Sequence, residues 1–283
     1  MLSLLTVGLV QMRCRESAAV NLAHATASII RLARRGAEVV CLPELFLTPY
    51  FCQKRDRRFF KMAEPVPGPT TTILGRVARS SRVAVITSVF ERTASNHYYN
   101  TAVTIGPDGR LVGKYRKMHI PDDPKHYYDE AFYFAPGNLG FHTARLKGVT
   151  VGTLVCWDQW FPEPARLLAI KGAAILFYPT AIGYQLKSLP GVNEAEHEAW
   201  QTIQRSHAIA NGLFIVSVNR VGLEHKLNFW GTSFVSDPYG RIVAKAPRQR
   251  EADLLVRCDL SLIAKMRGDW PFLSSRRVKL ERA

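Results

Sequence analysis

Apolar positions along the chain fall into two rhythms that take turns. Short runs of strand length recur at Thr6–Met12, Glu38–Leu42, Val83–Phe90, Val149–Val155, Ala174–Tyr178 and Leu213–Val218. Between them lie stretches with helical spacing. Ser17 to Arg35 places Leu22, Ala25, Ile29 and Leu32 on one face and stops at Gly36, which predicts an amphipathic helix. Thr70–Ser80 predicts a second helix. Pro164 opens a third that runs through Ile170 and is closed by Gly172. A fourth is expected with Asn193 as its cap and Glu196 in the reciprocal position, running to Asn211 and ending at Gly212. Two hairpins interrupt the alternation. Tyr98–Tyr115 turns at Gly106-Pro107-Asp108-Gly109, and Trp230–Ala244 turns at Asp237-Pro238-Tyr239-Gly240. Repeated β-α units with added hairpins predict an α/β fold with mixed sheets. No low-complexity tract or Ser/Gly linker divides the chain, so residues 1–283 read as a single domain.

Three of the apolar runs end in a reactive residue near a proline: Val39-Val40-Cys41-Leu42-Pro43-Glu44, Tyr115-Arg116-Lys117-Met118-His119-Ile120-Pro121, and Leu154-Val155-Cys156-Trp157-Asp158-Gln159-Trp160-Phe161-Pro162. A thiol at a strand end is rigidly held yet can face a cleft, which suits a nucleophile. Such a thiol is only a few per cent ionised near neutral pH, so it needs a base or a neighbouring cation. Glu44, Lys117 and Cys156 offer a base, a cation and a nucleophile. In Lys114-Tyr115-Arg116-Lys117, strand alternation puts residues 115 and 117 on one face. If Lys117 faces a cleft, Lys114 and Arg116 are expected in solvent.

With these segments the chain resembles the carbon–nitrogen hydrolase (nitrilase) superfamily, and within it most closely the N-carbamoylputrescine amidases. The resemblance runs from Val7-Gly8-Leu9-Val10-Gln11 to Arg276-Arg277. It is carried most specifically by Lys117-Met118-His119-Ile120-Pro121-Asp122-Asp123-Pro124, Phe132-Tyr133-Phe134-Ala135-Pro136-Gly137, the Cys156 segment and Pro179-Thr180-Ala181-Ile182-Gly183. It implies a four-layer α-β-β-α sandwich and a Glu-Lys-Cys triad of Glu44, Lys117 and Cys156. A second glutamate, Glu130, would orient Lys117 or polarise water, with Asp129 as competitor because the stretch from Pro124 to Glu130 is about two residues longer than the amidase pattern. Trp157, Asp158, Phe132, Tyr133, Thr180 and Ala181 would line the substrate pocket. The implied reaction is hydrolysis of an N-carbamoyl amine, N-carbamoylputrescine giving putrescine, carbon dioxide and ammonia through a thioester-type intermediate on the cysteine. Alternatives are an N-carbamoyl amino acid, a β-ureido acid or an ω-amide, for which Arg205 or Arg220 could hold a carboxylate. More remote is a basic, non-catalytic binding protein built on the same scaffold. For a substrate ammonium the candidate acids are Asp123, Asp158, Glu194 and Glu196. His119 and His207 read as structural hydrogen-bonding residues, and His197 as a surface one. The resemblance also implies a homodimer or larger homo-oligomer. The tail from about residue 265 to 283, with Trp270-Pro271-Phe272-Leu273, is the expected interface.

Composition narrows the remaining classes. Five widely spaced cysteines (Cys14, Cys41, Cys52, Cys156, Cys258) include no Cys-x-x-Cys pair, which argues against a disulfide framework or thiolate zinc site and for a reducing cytoplasm. With no Walker or dinucleotide glycine fingerprint, no cofactor or metal is implied. The longest apolar runs fall short of eighteen residues, and the first residues lack a basic leader, so neither a membrane span nor a signal peptide is expected. The net charge of +15 is dispersed and reads as a solvated surface, with no specific nucleic-acid partner and a small-molecule substrate instead.

Overall fold

The computed structural model describes residues 4–189 and 191–277. Two six-stranded sheets dominate it. Across the first, the order is Ala252–Asp259, Leu4–Gln11, Val39–Cys41, Ala84–Arg92, Tyr98–Ile105 and Leu111–Arg116. Across the second it is Ile242–Lys245, Phe234–Ser236, Phe214–Asn219, Ile175–Thr180, Val149–Thr153 and Thr143–Leu146. The three middle strands of the first sheet that follow β-α order are parallel, as are Val149–Thr153, Ile175–Thr180 and Phe214–Asn219 in the second. Hairpin strands extend the margins in antiparallel fashion.

Strand alternation sorts the core into layers. Val39 and Cys41 point into an apolar layer shared by both sheets, opposite Val151, Ile175, Phe177 and Val216. Val40, between them, packs outward beneath α1 (Ala18–Arg34) and α2 (Pro69–Ser81), against Ile29, Leu32, Leu74 and Ala78. The second sheet repeats this. Leu176 and Tyr178 face α3 (Pro162–Ile170) and α4 (Val192–Asn211) through Ala165, Leu168 and Ala208. The result is an α-β-β-α sandwich whose strands are buried on both faces, as near-continuous apolar runs require. Each fully buried aliphatic side chain in these layers contributes roughly 1.5–3 kcal/mol.

Several local expectations are corrected. At α1 the cap is Ser17, which accepts from the Val20 N–H at 3.4 Å. The position before α4, however, is Gly191 in the left-handed region, with no side-chain cap. Asn193 lies inside the helix and exchanges two 3.0 Å hydrogen bonds with the backbone of Gln185, so it ties a loop down instead. The late hairpin starts at Phe234. Trp230 ends a separate strand, Leu227–Trp230, in a three-stranded sheet with Gly183–Gln185 and Val221–Glu224. His197 is buried, with Nε2 3.0 Å from Thr232 Oγ1 and its ring against Trp230, because its face of α4 turns inward.

A short helix, α5 (Ser261–Asp269), precedes the tail. Trp270 packs edge-on against Tyr239 and Leu273 reaches the core beneath α3 and α4, while Trp270 and Phe272 remain largely exposed. The tail thus folds back in part on its own chain, and residues 278–283 lie outside the described ones. Among the described residues no helix is long and apolar enough to cross a membrane.

Candidate active site

Glu44 follows the strand Val39–Cys41 and Lys117 follows Leu111–Arg116. Both are fully buried, with Lys117 Nζ 2.9 Å from Glu44 Oε1. The same ammonium donates to Glu130 Oε2 at 2.7 Å. Lys117 is pinned by its backbone: its N–H donates to Asn100 O, and its carbonyl accepts from Gly137. A Cβ on Gly137 would fall 2.0 Å from the Arg116 carbonyl, which explains glycine in the Pro136-Gly137 element. Asn100 also donates from Nδ2 to Glu44 Oε1 at 2.7 Å. Glu44 Oε2 is buried without a hydrogen-bond partner among the described residues.

Cys156 opens a 3₁₀ turn, Cys156–Trp160, three residues beyond the strand Val149–Thr153. Its φ of +44° lies in the left-handed region, a conformation that costs a residue with a Cβ on the order of 1 kcal/mol and clusters at functional sites. The thiol donates to Ala181 O across 3.8 Å. Ala181 is held in turn by Asn219, which bonds both the N–H and the carbonyl of Ile182.

Electrostatics within this closed space are mutual. Burial pushes the Cys156 thiol well above its usual range and Glu44 adds to the shift, while Lys117 works against both. The resting group is therefore a thiol. Burial alone would lower the Lys117 ammonium, but Glu130 and Glu44 outweigh it and hold it well above the ordinary lysine range. The Glu130 carboxyl is raised, by burial first and by Glu44 as well, with Lys117 opposing. One ammonium cannot fully neutralise two buried carboxylates, which is the physical cause of the upward shift at Glu130.

Asp129, the competitor for the Glu130 role, is bound by Arg55 (Nε to Oδ2, 2.6 Å), because the short pairing of Asp122–Asp123 with Tyr128–Asp129 turns it away from Lys117. The neighbours of Lys117 depart from expectation. Lys114 and Arg116 share the opposite strand face, but both pair with the buried carboxylate of Glu91, at 2.6 and 2.9 Å. Solvent does not fully cover that face, because Glu91, two strands over in the same sheet, reaches both cations.

The residues expected to line the pocket divide. Trp157 and Phe132 keep partly exposed rings, Phe132 beneath the Arg55 guanidinium at 5.7 Å. Ala181 supplies the carbonyl facing the thiol. Tyr133 is buried among Phe51, Phe60 and Phe90, and its hydroxyl donates to Lys54 O at 2.5 Å. Thr180 is fully buried, with Oγ1 3.0 Å from Tyr178 O. Asp158 is also fully buried, and protein donors occupy both its oxygens. The last three are thus engaged by the fold, with no polar group left over for a ligand. His119 and His207 make the expected structural bonds, to Asp158 and to Gln159 O. Asn100 and Tyr50, which donates to Glu130 Oε1 at 2.7 Å, escaped the sequence reading. The amide of Asn100 in the strand Tyr98–Ile105, which also carries Thr101 and Thr104, was only a weak signal; nothing marked Tyr50 in its loop. Among the described residues no group of three His, Cys, Asp or Glu side chains is placed to hold a metal.

A buried acid–ammonium pair beside a strained thiol, set at strand ends of this sandwich, defines a class, and the comparisons agree. The carbon-nitrogen hydrolase family profile matches residues 6–268, so the chain belongs to the carbon-nitrogen hydrolase family and is an enzyme of that class. Among its relatives, the N-carbamoylputrescine amidase of Solanum lycopersicum is 38% identical over 286 residues, covering 98% of this chain and 93% of the relative. A citrullinase from Francisella tularensis is 37% identical, covering 97% and 96%. The crystal structure of a carbon-nitrogen hydrolase from Helicobacter pylori G27 superposes with a TM-score of 0.92 at 38% identity, over 97% of this chain and 96% of that one.

Proposed function

We propose that this enzyme hydrolyses the terminal ureido group of a linear aliphatic amine, N-carbamoylputrescine being the favoured substrate. The observation that carries the reading is the sealed contact of Lys117 with Glu44 and Glu130 beside the Cys156 thiol. Glu44 accepts the thiol proton as sulfur attacks the ureido carbon. The oxyanion is stabilised by the Lys117 ammonium and the backbone N–H that follows Cys156. Collapse breaks one C–N bond, Glu44 returns the proton to the departing nitrogen, and a thioester-type carbamoyl group stays on sulfur. Water, oriented by Glu130 and deprotonated by Glu44, then releases the thiol and a carbamic acid, which loses carbon dioxide. One water is consumed, and the amine, carbon dioxide and ammonia are formed.

The relatives' names support the substrate class, since N-carbamoylputrescine and citrulline both carry a ureido group on a short methylene chain with an amine at the far end, which in citrulline shares its carbon with a carboxylate. An unpaired buried ammonium costs several kcal/mol, so the distal pocket must supply an acceptor. Of the four candidate acids, Asp158 is saturated, Glu194 pairs with Arg248, and Asp123 is 2.7 Å from His126. Glu196 has no hydrogen bond or ion pair among the described residues. It is half-buried near Asp123 and Tyr128, whose hydroxyl contacts Gly183 behind the thiol loop. We assign the ammonium to Glu196. A substrate carboxylate is less well served: Arg220 is fully buried on Glu224 and the carbonyls of Glu44 and Leu45, and Arg205 is bound to Gly240 O. Ammonia release across N-carbamoylputrescine, citrulline, N-carbamoyl-β-alanine and simple ω-amides tests the reading. Faster turnover of the acids or amides than of N-carbamoylputrescine would replace it.

A further inference from the structure

Asp158 holds four donors on two oxygens. Oδ1 accepts from the His119 backbone N–H at 3.1 Å and from His119 Nδ1 at 2.7 Å. Oδ2 accepts from the Tyr115 hydroxyl and from the Val155 N–H, each at 2.9 Å. A carboxylate has about four lone-pair sites, and all are filled. The donors come from the two pieces of chain that carry the reacting groups. Val155 immediately precedes the nucleophile, and Asp158 closes that turn from the other side by donating its own N–H to Val155 O at 3.1 Å. Tyr115 and His119 bracket Lys117, and the Met118 N–H donates to the Tyr115 hydroxyl at 3.2 Å, so the segment 115–119 wraps the carboxylate. The His119 ring is fixed as well. Its other face lies flat on Phe161, centroids 3.8 Å apart and planes within 10°, and because an acceptor faces Nδ1, that nitrogen carries the proton.

We propose that Asp158 is a positioning residue that sets the separation and orientation of Cys156 relative to Lys117, with His119 and Tyr115 as its two attachments on the lysine-bearing segment. This rests on the reading of Cys156 and Lys117 as nucleophile and oxyanion cation. Neither attachment touches a reacting atom, yet each holds the cation's backbone to the nucleophile's turn. A shift of about 1 Å between such groups is enough to cost a hundredfold in rate. The expected signature is a loss in kcat, because substrate binding does not use this carboxylate.

Asp158→Asn leaves two donors facing an amide and can fail to fold, so the decisive variants remove one attachment at a time. In Tyr115→Phe and His119→Ala, kcat per titratable Cys156 thiol should fall at least tenfold, with KM within about threefold of the parent. His119→Asn, which returns an N–H near the Nδ1 position, should recover kcat to within about threefold. The double variant Tyr115→Phe/His119→Ala should lose less than the product of the two single losses, because both act through one carboxylate. Parent kcat in the single variants, no recovery with Asn, or losses that multiply would each overturn the assignment. Stoichiometric alkylation of Cys156 and its protection by substrate, measured in the parent and in His119→Ala, report on the underlying reading. If alkylation leaves turnover intact, that reading fails independently of Asp158.

Discussion

Tyr50 spans two layers of support beneath the site: its hydroxyl donates to Glu130 at 2.7 Å, while its backbone N–H donates to Glu224 at 2.6 Å. Glu224 is paired with Arg220, whose other nitrogen binds the carbonyls of Glu44 and Leu45. Glu44 and Glu130 are thus braced by one connected set of hydrogen bonds. Removing the hydroxyl in Tyr50→Phe takes a donor from a buried acid, worth roughly 1.5–3 kcal/mol. A fall in kcat of about tenfold or more is expected, with KM nearly unchanged, in steady-state ammonia release. Parent kcat would show that Glu130 needs no help from Tyr50.

Cys156 should be the site of covalent chemistry. Iodoacetamide should abolish turnover with one carboxamidomethyl group on Cys156 by mass spectrometry, and substrate should slow the reaction. Glu44→Gln and Lys117→Ala should each lower kcat by roughly two orders of magnitude or more, and Glu130→Gln by less. A Cys156→Ser variant at the parent rate would end the covalent reading.

The distal acid carries a pH signature. Burial, reinforced by Asp123 and opposed by His126, raises Glu196 to about 7. As pH rises through that value the carboxyl ionises, so kcat/KM for cationic N-carbamoylputrescine should climb across pH 6–8 relative to neutral N-butylurea. In Glu196→Gln the two pH profiles should run parallel, and kcat/KM for the amine should fall about tenfold or more. Stability moves the opposite way. Folding favours the protonated acid, so this contribution is full below the unfolded value near 4.5 and is lost as pH rises through 7. A relative profile already flat in the parent would remove Glu196 from the pocket.

Substrate preference follows from the same pocket. N-carbamoylputrescine should exceed N-carbamoyl-β-alanine at least about tenfold in kcat/KM, or roughly 1.4 kcal/mol of transition-state discrimination. Equal values would point to a site that ignores the distal charge.

The Glu91 cluster should matter for folding more than for chemistry. Glu91 is held well down, to about 2: burial works to raise it, and bonds from Arg116, Lys114 and Thr101 overcome that. Glu91→Ala strands two cations in a partly buried site, a loss of about 3 kcal/mol, read as a Tm drop of several degrees. Lys114→Ala leaves Arg116 on the carboxylate and should cost less, with kcat per folded molecule near the parent. Self-association is a separate expectation: the exposed rings of Trp270 and Phe272 favour a dimer, and light scattering that gives 31.8 kDa across micromolar concentrations would refute it.

Much of this architecture was legible because strand alternation and helix periodicity are local signals. Val39, Val40 and Cys41 announce a strand buried on both faces before any partner is known. That Glu44, Lys117 and Cys156 come together was legible too, through the short segments around each residue. What stayed hidden depends on pairings between distant parts of the chain. Nothing near Lys114 reveals Glu91, 23 residues away. Nothing near Asp158 says that its oxygens are filled from 39 and 43 residues away, at His119 and Tyr115. Asn193 looked like a cap because its spacing to Glu196 fits one, but Gly191 reaches the left-handed conformation at less cost and takes the turn.

The left-handed backbone at Cys156 also sets a cost on whatever side chain stands there. A side chain branched at Cβ crowds the backbone at positive φ far more than an unbranched one. Thr232, fully buried at φ +52°, shows that this fold still accommodates such a residue, so a β-branched side chain at position 156 would be strained but not forbidden. Glycine would relax the turn and silence it. Strain and chemistry should therefore separate at this position: Cys156→Gly sheds the backbone cost and releases no ammonia, whereas Cys156→Ala keeps the cost and is equally silent.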